Sequence, residues 1–291
     1  MQARTVFFKE ENDVSDTFSG LYEQRFGSKP THAQPLPIDD ALGAILSRRT
    51  HRRYLPDPIE EPLLERLLSA GLSASAKSDL QQASVVVVDD EAKRAEIASW
   101  IPSMPWIAQA PRFLVFCGDH RRLRIAFSER EVEFPNDNVD MFMNAAVDAG
   151  LVMQTFILAA EAVGLGCCPI SEVRTHIDAL SDLLALPDWV FPISGLCVGY
   201  PAQTGYVSMR LPPSLTVHRD AYDNAQLAEK IADYDQRRDA RFSLPPDRQR
   251  DVDRFGVADL YGWSEDKVRQ YATAHRTGFQ SYLKDRGFAL D

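Results

Sequence analysis

Polar and apolar positions alternate in three different ways along this chain of 291 residues. Residues 1–37 are a polar lead-in with aromatic punctuation (Phe18, Tyr22, Phe26), and Pro35 and Pro37 end it. Asp39 or Asp40 then stands where an N-cap belongs, opening a helix through Leu46 and Ser47. Leu63, Leu64, Leu67, Leu68 and Leu72 recur at helical spacing and predict a second helix over 60–72. A small polar loop, 73–79, follows. Four consecutive valines, 85–88, read as a buried strand stopped by Asp89 and Asp90. Residues 91–100 read as a helix, and 113–117 as a second strand stopped by Gly118 and Asp119.

The longest pattern is a helix over 138–165. After its first turn the polar exceptions are few: Asn144, Asp148, Gln154, Thr155 and Glu161. A helix apolar nearly all round is buried on most faces, either as a core helix or as one shared with a partner subunit. Gly164 and Gly166 end it. Residues 167–170 read as a short strand or loop, 173–186 as a helix ending at Pro187, and 190–198 as a further strand. Beyond Leu215 the chain turns charged. A helix is expected over 224–241, an irregular arginine-rich link over 242–262, and a charged helix over 264–286 with Trp263 just before its cap. This tail buries little by itself and is expected to pack on the main body or on a second subunit.

Strands interleaved irregularly with helices favour an α+β fold over a doubly wound sheet. There is no G-x-G-x-x-G after a strand, no P-loop, no H-E-x-x-H and no G-x-S-x-G, and the six histidines have no metal-ligand spacing.

Charge and cysteine usage narrow the setting. A formal net charge of −10 argues against binding nucleic acid or an anionic membrane, since both need a basic face. The apolar run 149–160 lies between Asp148 and Glu161 and is too short to span a bilayer, and the N-terminus does not read as a secretory signal. Cys117, Cys167, Cys168 and Cys197 sit in apolar surroundings without a C-x-x-C pair, which reads as reduced core cysteines in a cytoplasmic protein.

Against that acidic background, Arg48, Arg49, Thr50, His51, Arg52, Arg53 and Tyr54 form a cationic knot. Guanidinium forks match phosphate oxygens and Thr50 adds a hydroxyl donor, so a phosphate monoester is one reading. A solvated basic helix end complementing the macrodipole is the other.

Four segments in order carry a resemblance: 48–54, 75–81, 164–170, and 195–201 followed by Arg210, Leu211 and Pro212. In this order and spacing the chain resembles the nitroreductase family, in the branch of NADPH-dependent nitroreductases and flavin reductases with a long C-terminal tail. The resemblance implies a three-layer α+β fold, with a central mixed sheet flanked by helices and a C-terminal helical extension. Its boundaries would be an N-terminal extension over 1–37, an FMN-binding domain over 38–223 and the extension over 224–291. Family members hold FMN at the interface of a homodimer.

The resemblance also implies roles. Arg48, Arg49 and Thr50, with Arg210, grip the FMN phosphate. Arg52 lies beside the flavin N1/O2 edge, where a fixed cation raises the reduction potential. Ser75, Ala76, Lys77 and Asp79 belong to a loop that reaches the flavin from the other subunit. Pro169, Ile170, Ser171 and Glu172 lie against one flavin face, with the Ser171 N–H at N5. The sequence departs from the pattern at Ser208, where a lysine usually assists the phosphate, and at Met104, where a glutamine often contacts the ring. Asp79 replaces a frequent asparagine, and Ala76 and Lys77 replace serines.

The implied activity is a ping-pong transfer of hydride from NADPH or NADH through FMN to a nitroaromatic, quinone or flavin acceptor. No side chain is needed as a general base and no metal as a ligand partner. Arg248 and Arg250, or Arg237 and Arg238, are candidates for a nicotinamide 2′-phosphate, against a solvated charged tail. The rival readings are a same-fold flavoenzyme working in the dehydrogenase direction and a flavin-binding protein without turnover.

Overall fold

A computed structural model describes residues 17–30 and 40–291. The expected cap at Asp39, the break at Pro35 and Pro37, and the lead-in before Thr17 lie outside those residues. In chain order the elements are α1 (Phe18–Phe26), α2 (Asp40–Ser47), α3 (Glu61–Leu72), β1 (Ala83–Val87), α4 (Glu91–Trp100), α5 (Trp106–Gln109), β2 (Arg112–Asp119), α6 (Arg121–Ser128), α7 (Val139–Ala162), β3 (Gly166–Ile170), α8 (Ile177–Leu183), β4 (Val190–Gly199), α9 (Pro213–Thr216), α10 (Leu227–Phe242), α11 (Val252–Phe255), α12 (Trp263–Tyr271) and α13 (Phe279–Asp285). Local chemistry sets several starts. Asp90 caps α4 by accepting from the Ala92 and Lys93 N–H groups at 2.8 and 3.2 Å, and Asn138 caps α7 through the Met141 N–H at 3.1 Å.

The chain divides into two compact units. One runs from Arg49 to Gly205 with Arg276–Asp291, and the other joins the described residues up to Arg48 with Tyr206–His275.

The first unit is built on a sheet of order β1-β2-β4-β3. Along β2, Leu114 and Phe116 face one way and join Leu64, Leu67, Phe156 and Leu196 under α3 and α7. Phe113, Val115 and Cys117 face the other way and join Ile97, Ile107 and Leu180. This period of two gives the sheet two buried faces and the unit three layers. A further cluster gathers Ala145, Ile177 and Phe191 with Tyr282, Leu283 and Phe288, so the chain's last helix belongs to the sheet unit. There Tyr282 and Ser181 share a hydroxyl–hydroxyl bond of 2.8 Å, and Arg286 pairs with Asp182 at 2.7 Å.

The second unit has a small apolar core around Met209, Leu215 and Tyr234. Its C-terminal part is held by polar groups. Asp235 accepts from Ser264, and Asp266 accepts from Arg250 at 2.9 Å and from the Tyr261 hydroxyl at 3.2 Å. Arg269, 4% exposed, lies over the Tyr261 and Phe255 rings.

The α+β class holds, with five differences from the expectations. Every pairing among the described strands is antiparallel, where a mixed sheet was implied. β2 and β3 do point the same way across the α7 crossover, but β4 inserts between them. The expected helix over 173–186 begins as a 3-10 segment, Ser171–His176. The expected helix over 264–286 is two helices, α12 and α13, parted where Arg276 turns left-handed (φ 55°) before Gly278. The polar lead-in contains α1. Finally, α7 is long and apolar enough to cross a membrane by length and composition, whereas 149–160 alone was too short; one face of α7 is buried under the sheet.

Candidate functional site

In the sheet unit the arginine segment is threaded along two strand ends. The His51 N–H donates to the Cys167 carbonyl on β3 at 3.0 Å, and the Leu55 N–H donates to the Tyr200 carbonyl at 2.8 Å. Tyr54 bridges to Pro201, and its hydroxyl donates to the His51 carbonyl at 2.6 Å. Two glycines permit this close approach. A Cβ on Gly166 would sit 2.7 Å from His51 Cγ, and one on Gly199 would sit 2.8 Å from Tyr54 Cδ1. The segment therefore lies beside β3, the edge strand carrying Pro169 and Ile170.

Along that edge Pro169 is exposed and Ile170 buried, with Ser171 exposed just beyond. Proline on an edge leaves no main-chain donor unsatisfied. Arg52 is exposed, and its guanidinium carbon lies 5.7 Å from the Trp106 ring centroid. Met104 packs beside Trp106 on the same cluster as Ile170. Arg49 and Thr50 are half-buried, and Arg49 Nε is buried with no acceptor among the described residues. An anion's oxygen would complete it. Glu172 is committed elsewhere: its carboxylate accepts from Thr175 Oγ1 at 2.9 Å and pairs with Arg276 at 3.1 Å.

The Ser75, Ala76, Lys77 and Asp79 loop lies at another place in the same unit. Its last turn is a 3-10 segment, Lys77–Asp79, in which Ser78 and Asp79 are left-handed (φ 49° and 57°), followed by Gln81 (φ 51°). A buried carboxylate on α7 holds it. Asp148 Oδ1 accepts from the Lys77 N–H at 3.0 Å, and Oδ2 accepts from the Gln82 N–H at 3.1 Å and from Gln82 Nε2 at 3.5 Å. Ser75, Ala76, Gln81, Gln82, Arg122 and Asp148 contribute to the lining of a cavity of about 410 Å³. No residue of the arginine segment lines it, so this loop and that segment do not share the cavity.

In the second unit, Arg48, Ser208 and Arg210 gather around Arg25 of α1. Arg25 donates from Nε to the Leu46 carbonyl at 2.9 Å, from Nη1 to the Ser208 carbonyl at 2.8 Å and from Nη2 to the Arg48 carbonyl at 2.5 Å. Arg210 is exposed and donates from Nη1 to Ser208 Oγ at 2.6 Å.

Sequence reasoning missed Arg25, Asp148 and Trp106 as contributors. Only Asp148 had a signal, as a carboxylate in the middle of an apolar helix. Of the arginines considered for a nicotinamide phosphate, Arg250 is paired with Asp266 and Arg237 with Asp233, while the charge of Arg238 acts on the Tyr234 phenol. Arg248 is exposed at the end of a 3-10 turn.

The cysteines are free and buried. Burial pushes the Cys117 thiol up to about 12 and raises Cys197 well above its ordinary value, so neither supplies a thiolate. Burial also raises the Tyr54 phenol, with the Cys197, Cys168 and Cys167 thiols adding to it and Arg52 opposing.

With this geometry in place, the comparisons with known proteins are decisive. Residues 45–200 match the Nitroreductase family and residues 208–291 the Nitroreductase family, C-terminal domain. The chain belongs to the nitroreductase family. Among its relatives, the protein named FMN reductase [NAD(P)H] of Bacillus subtilis is 30% identical over 258 residues, 87% of this chain and 100% of the relative. The structure of NfrA2 of B. megaterium superposes with a TM-score of 0.79 at 29% identity, covering 87% of this chain and 100% of that one. The NADPH:FMN oxidoreductase of Vibrio harveyi, solved as a complex with NAD+, superposes with a TM-score of 0.74 at 30% identity, covering 86% and 98%. The nitroreductase match spans both the strand ends that carry the arginine segment and the residues around Ser208.

Proposed function

We propose that this nitroreductase-family chain is an NAD(P)H-dependent FMN oxidoreductase. It would pass reducing equivalents by a ping-pong mechanism to an electron-poor acceptor such as a nitroaromatic, a quinone or a free flavin. The observation that carries the reading is the buried Nε of Arg49, without an acceptor among the described residues, on a cationic segment bonded to the edge strand that exposes Pro169. On this reading the phosphate grip and the wall beside the flavin belong to one sheet edge.

Bound FMN supplies hydride acceptance and donation at N5, which no side chain of the chain can supply. Arg48, Arg49 and Thr50, with Arg210, would hold its phosphate. Arg52, whose guanidinium lies over the Trp106 ring, would supply a positive charge at the N1 and O2 edge. Pro169 and Ile170 would form the wall on one face, and the Ser171 N–H would be the donor at N5. Ser75, Ala76, Lys77 and Asp79 form a loop that serves the site of a second subunit, which accords with its separation from the arginine segment in the cavity lining.

The second subunit is proposed from α7. Val139, Met143, Val147 and Leu151 are 42–57% exposed and recur every four residues, an apolar stripe on a helix whose other side is buried. A homodimer would cover it. The free, buried cysteines accord with a cytoplasmic setting.

The test is anaerobic mixing of the FMN-loaded protein with NADPH and then NADH, followed by nitroaromatic, quinone and flavin acceptors. Bleaching of the flavin by a nicotinamide and its return on adding acceptor is the expected result. A flavin that neither nicotinamide reduces would sink the reductase reading.

A further inference from the structure

Both family matches leave the residues before position 45 aside, since they cover 45–200 and 208–291. Yet α1, inside that unmatched stretch, sends a buried side chain to the residues assigned to the phosphate. We propose that Arg25 is a positioning residue of the phosphate grip, contributed by a segment that the family matches do not cover. This rests on the FMN reading above.

Arg25 is 6% exposed and acts as a three-way main-chain clamp. Its donors reach the Leu46, Arg48 and Ser208 carbonyls. The first two lie at and just beyond the end of α2, where helical carbonyls lack intrahelical partners. A fourth contact closes the ring: the Arg210 N–H donates to the Arg25 carbonyl at 2.8 Å. One residue therefore fixes the main chain on both sides of Ser47 and on both sides of Met209. The planar guanidinium fork is what makes this possible, since three fixed directions are needed and an ammonium on a flexible stem does not present them.

The arrangement also accounts for Ser208, which stands where the resembling branch has a lysine. Arg25 holds the Ser208 carbonyl and Arg210 holds its hydroxyl, so the position serves as a bridge between two guanidinium groups. Helix α1 is itself fastened. Thr17 caps it by accepting from the Gly20 N–H at 3.2 Å, and Gly27 closes it with φ 65°. Arg237 Nη1 donates to the Phe26 and Gly27 carbonyls, each at 3.1 Å, and Arg241 Nη1 donates to the Gln24 carbonyl at 2.9 Å. These bonds hold α1 in place independently of Arg25's own clamp.

The experiment compares dissociation constants for FMN and for riboflavin, which lacks the phosphate, in the full-length wild type and in Arg25→Lys and Arg25→Ala. A phosphate-positioning role predicts that the preference for FMN over riboflavin shrinks about tenfold, the equivalent of one charged hydrogen bond, while riboflavin binding is kept. Arg25→Lys retains the charge and guards against a folding failure of the alanine variant. Equal losses for both flavins, or an unchanged preference, would overturn the proposal. A wild type that binds riboflavin as tightly as FMN would show instead, before any substitution, that the phosphate reading itself fails, and the proposal with it.

Discussion

Replacing Asp148 by alanine tests how the loop over 75–82 is held. Asp148 is 1% exposed, and the substitution strips the acceptor from two main-chain N–H groups, those of Lys77 and Gln82, at 3.0 and 3.1 Å. A buried donor left without a partner costs about 1–3 kcal/mol, so the two together set a loss of about 2–6 kcal/mol. The Gln82 side-chain bond, at 3.5 Å, adds little. The same clamp opposes the backbone preference of Ser78, Asp79 and Gln81, which are all left-handed without being glycine. In a chain of this size the loss corresponds to a melting point lower by about 3–10 °C. Differential scanning calorimetry reads that shift, and hydrogen exchange reads its location: amides over 77–82 should exchange faster while those of β2 keep their protection. Asp148→Asn keeps an acceptor for Lys77 but turns an amide donor toward Gln82, and should fall between wild type and Asp148→Ala. A loss under about 1 kcal/mol, with exchange over 77–82 unchanged, would refute the reasoning, since unsatisfied buried donors cannot be that cheap.

Three further outcomes follow from the geometry. Gly166→Ala puts a Cβ within 2.8 Å of His51 Cβ, Cγ and Cδ2, so it should cost about 1–3 kcal/mol and weaken FMN binding; a titration and a melt both matching wild type would contradict it. Val147→Glu places a charge in the exposed stripe of α7 and should convert a dimer to a monomer, which sedimentation reads; an intact dimer would remove the stripe from the interface. Burial alone would raise the Asp266 carboxyl, but the hydrogen bond and charge of Lys267, and then of Arg250, outweigh it and hold the group below its ordinary value. The unfolded chain then takes up that proton first as pH falls below about 4, so Asp266 stabilises the fold at neutral pH and this contribution is lost toward the lower folded value. The stability gap between wild type and Asp266→Asn should therefore narrow on acidification, and a gap constant from pH 7 to pH 3 would dispose of the idea.

Much of the fold was legible locally. The helix over 91–100 matches α4 end for end, because Asp90 is a strong cap and Trp100 closes the apolar spacing. The valine run and the Phe113 run became β1 and β2 within two residues at each end, since short β-branched or aromatic runs bounded by Asp or Gly have few alternatives. Helix 264–286 failed for the opposite reason. Its composition is helical throughout, but the left-handed Arg276 interrupts it, and residues on either side of that point belong to different compact units. The candidate site divided in the same way. The cationic residues of 48–54 announce themselves by composition, and Pro169 by its place beside an edge strand.

What the sequence by itself determined is whatever depends on neighbours a few residues apart: helix and strand periods, caps, the charge of the knot and the ordered set of segments that marks the family. Only the tertiary structure decided which groups hold those segments in place. Arg25 and Ser208 are 183 positions apart, and Asp148 lies 71 from Lys77. A hydrogen bond across such a separation imposes no period on the residues between its partners, so nothing local foreshadows it. The chain had to fold before a guanidinium in an unremarkable polar segment could meet three carbonyls, or a carboxylate midway along an apolar helix could meet the loop it holds.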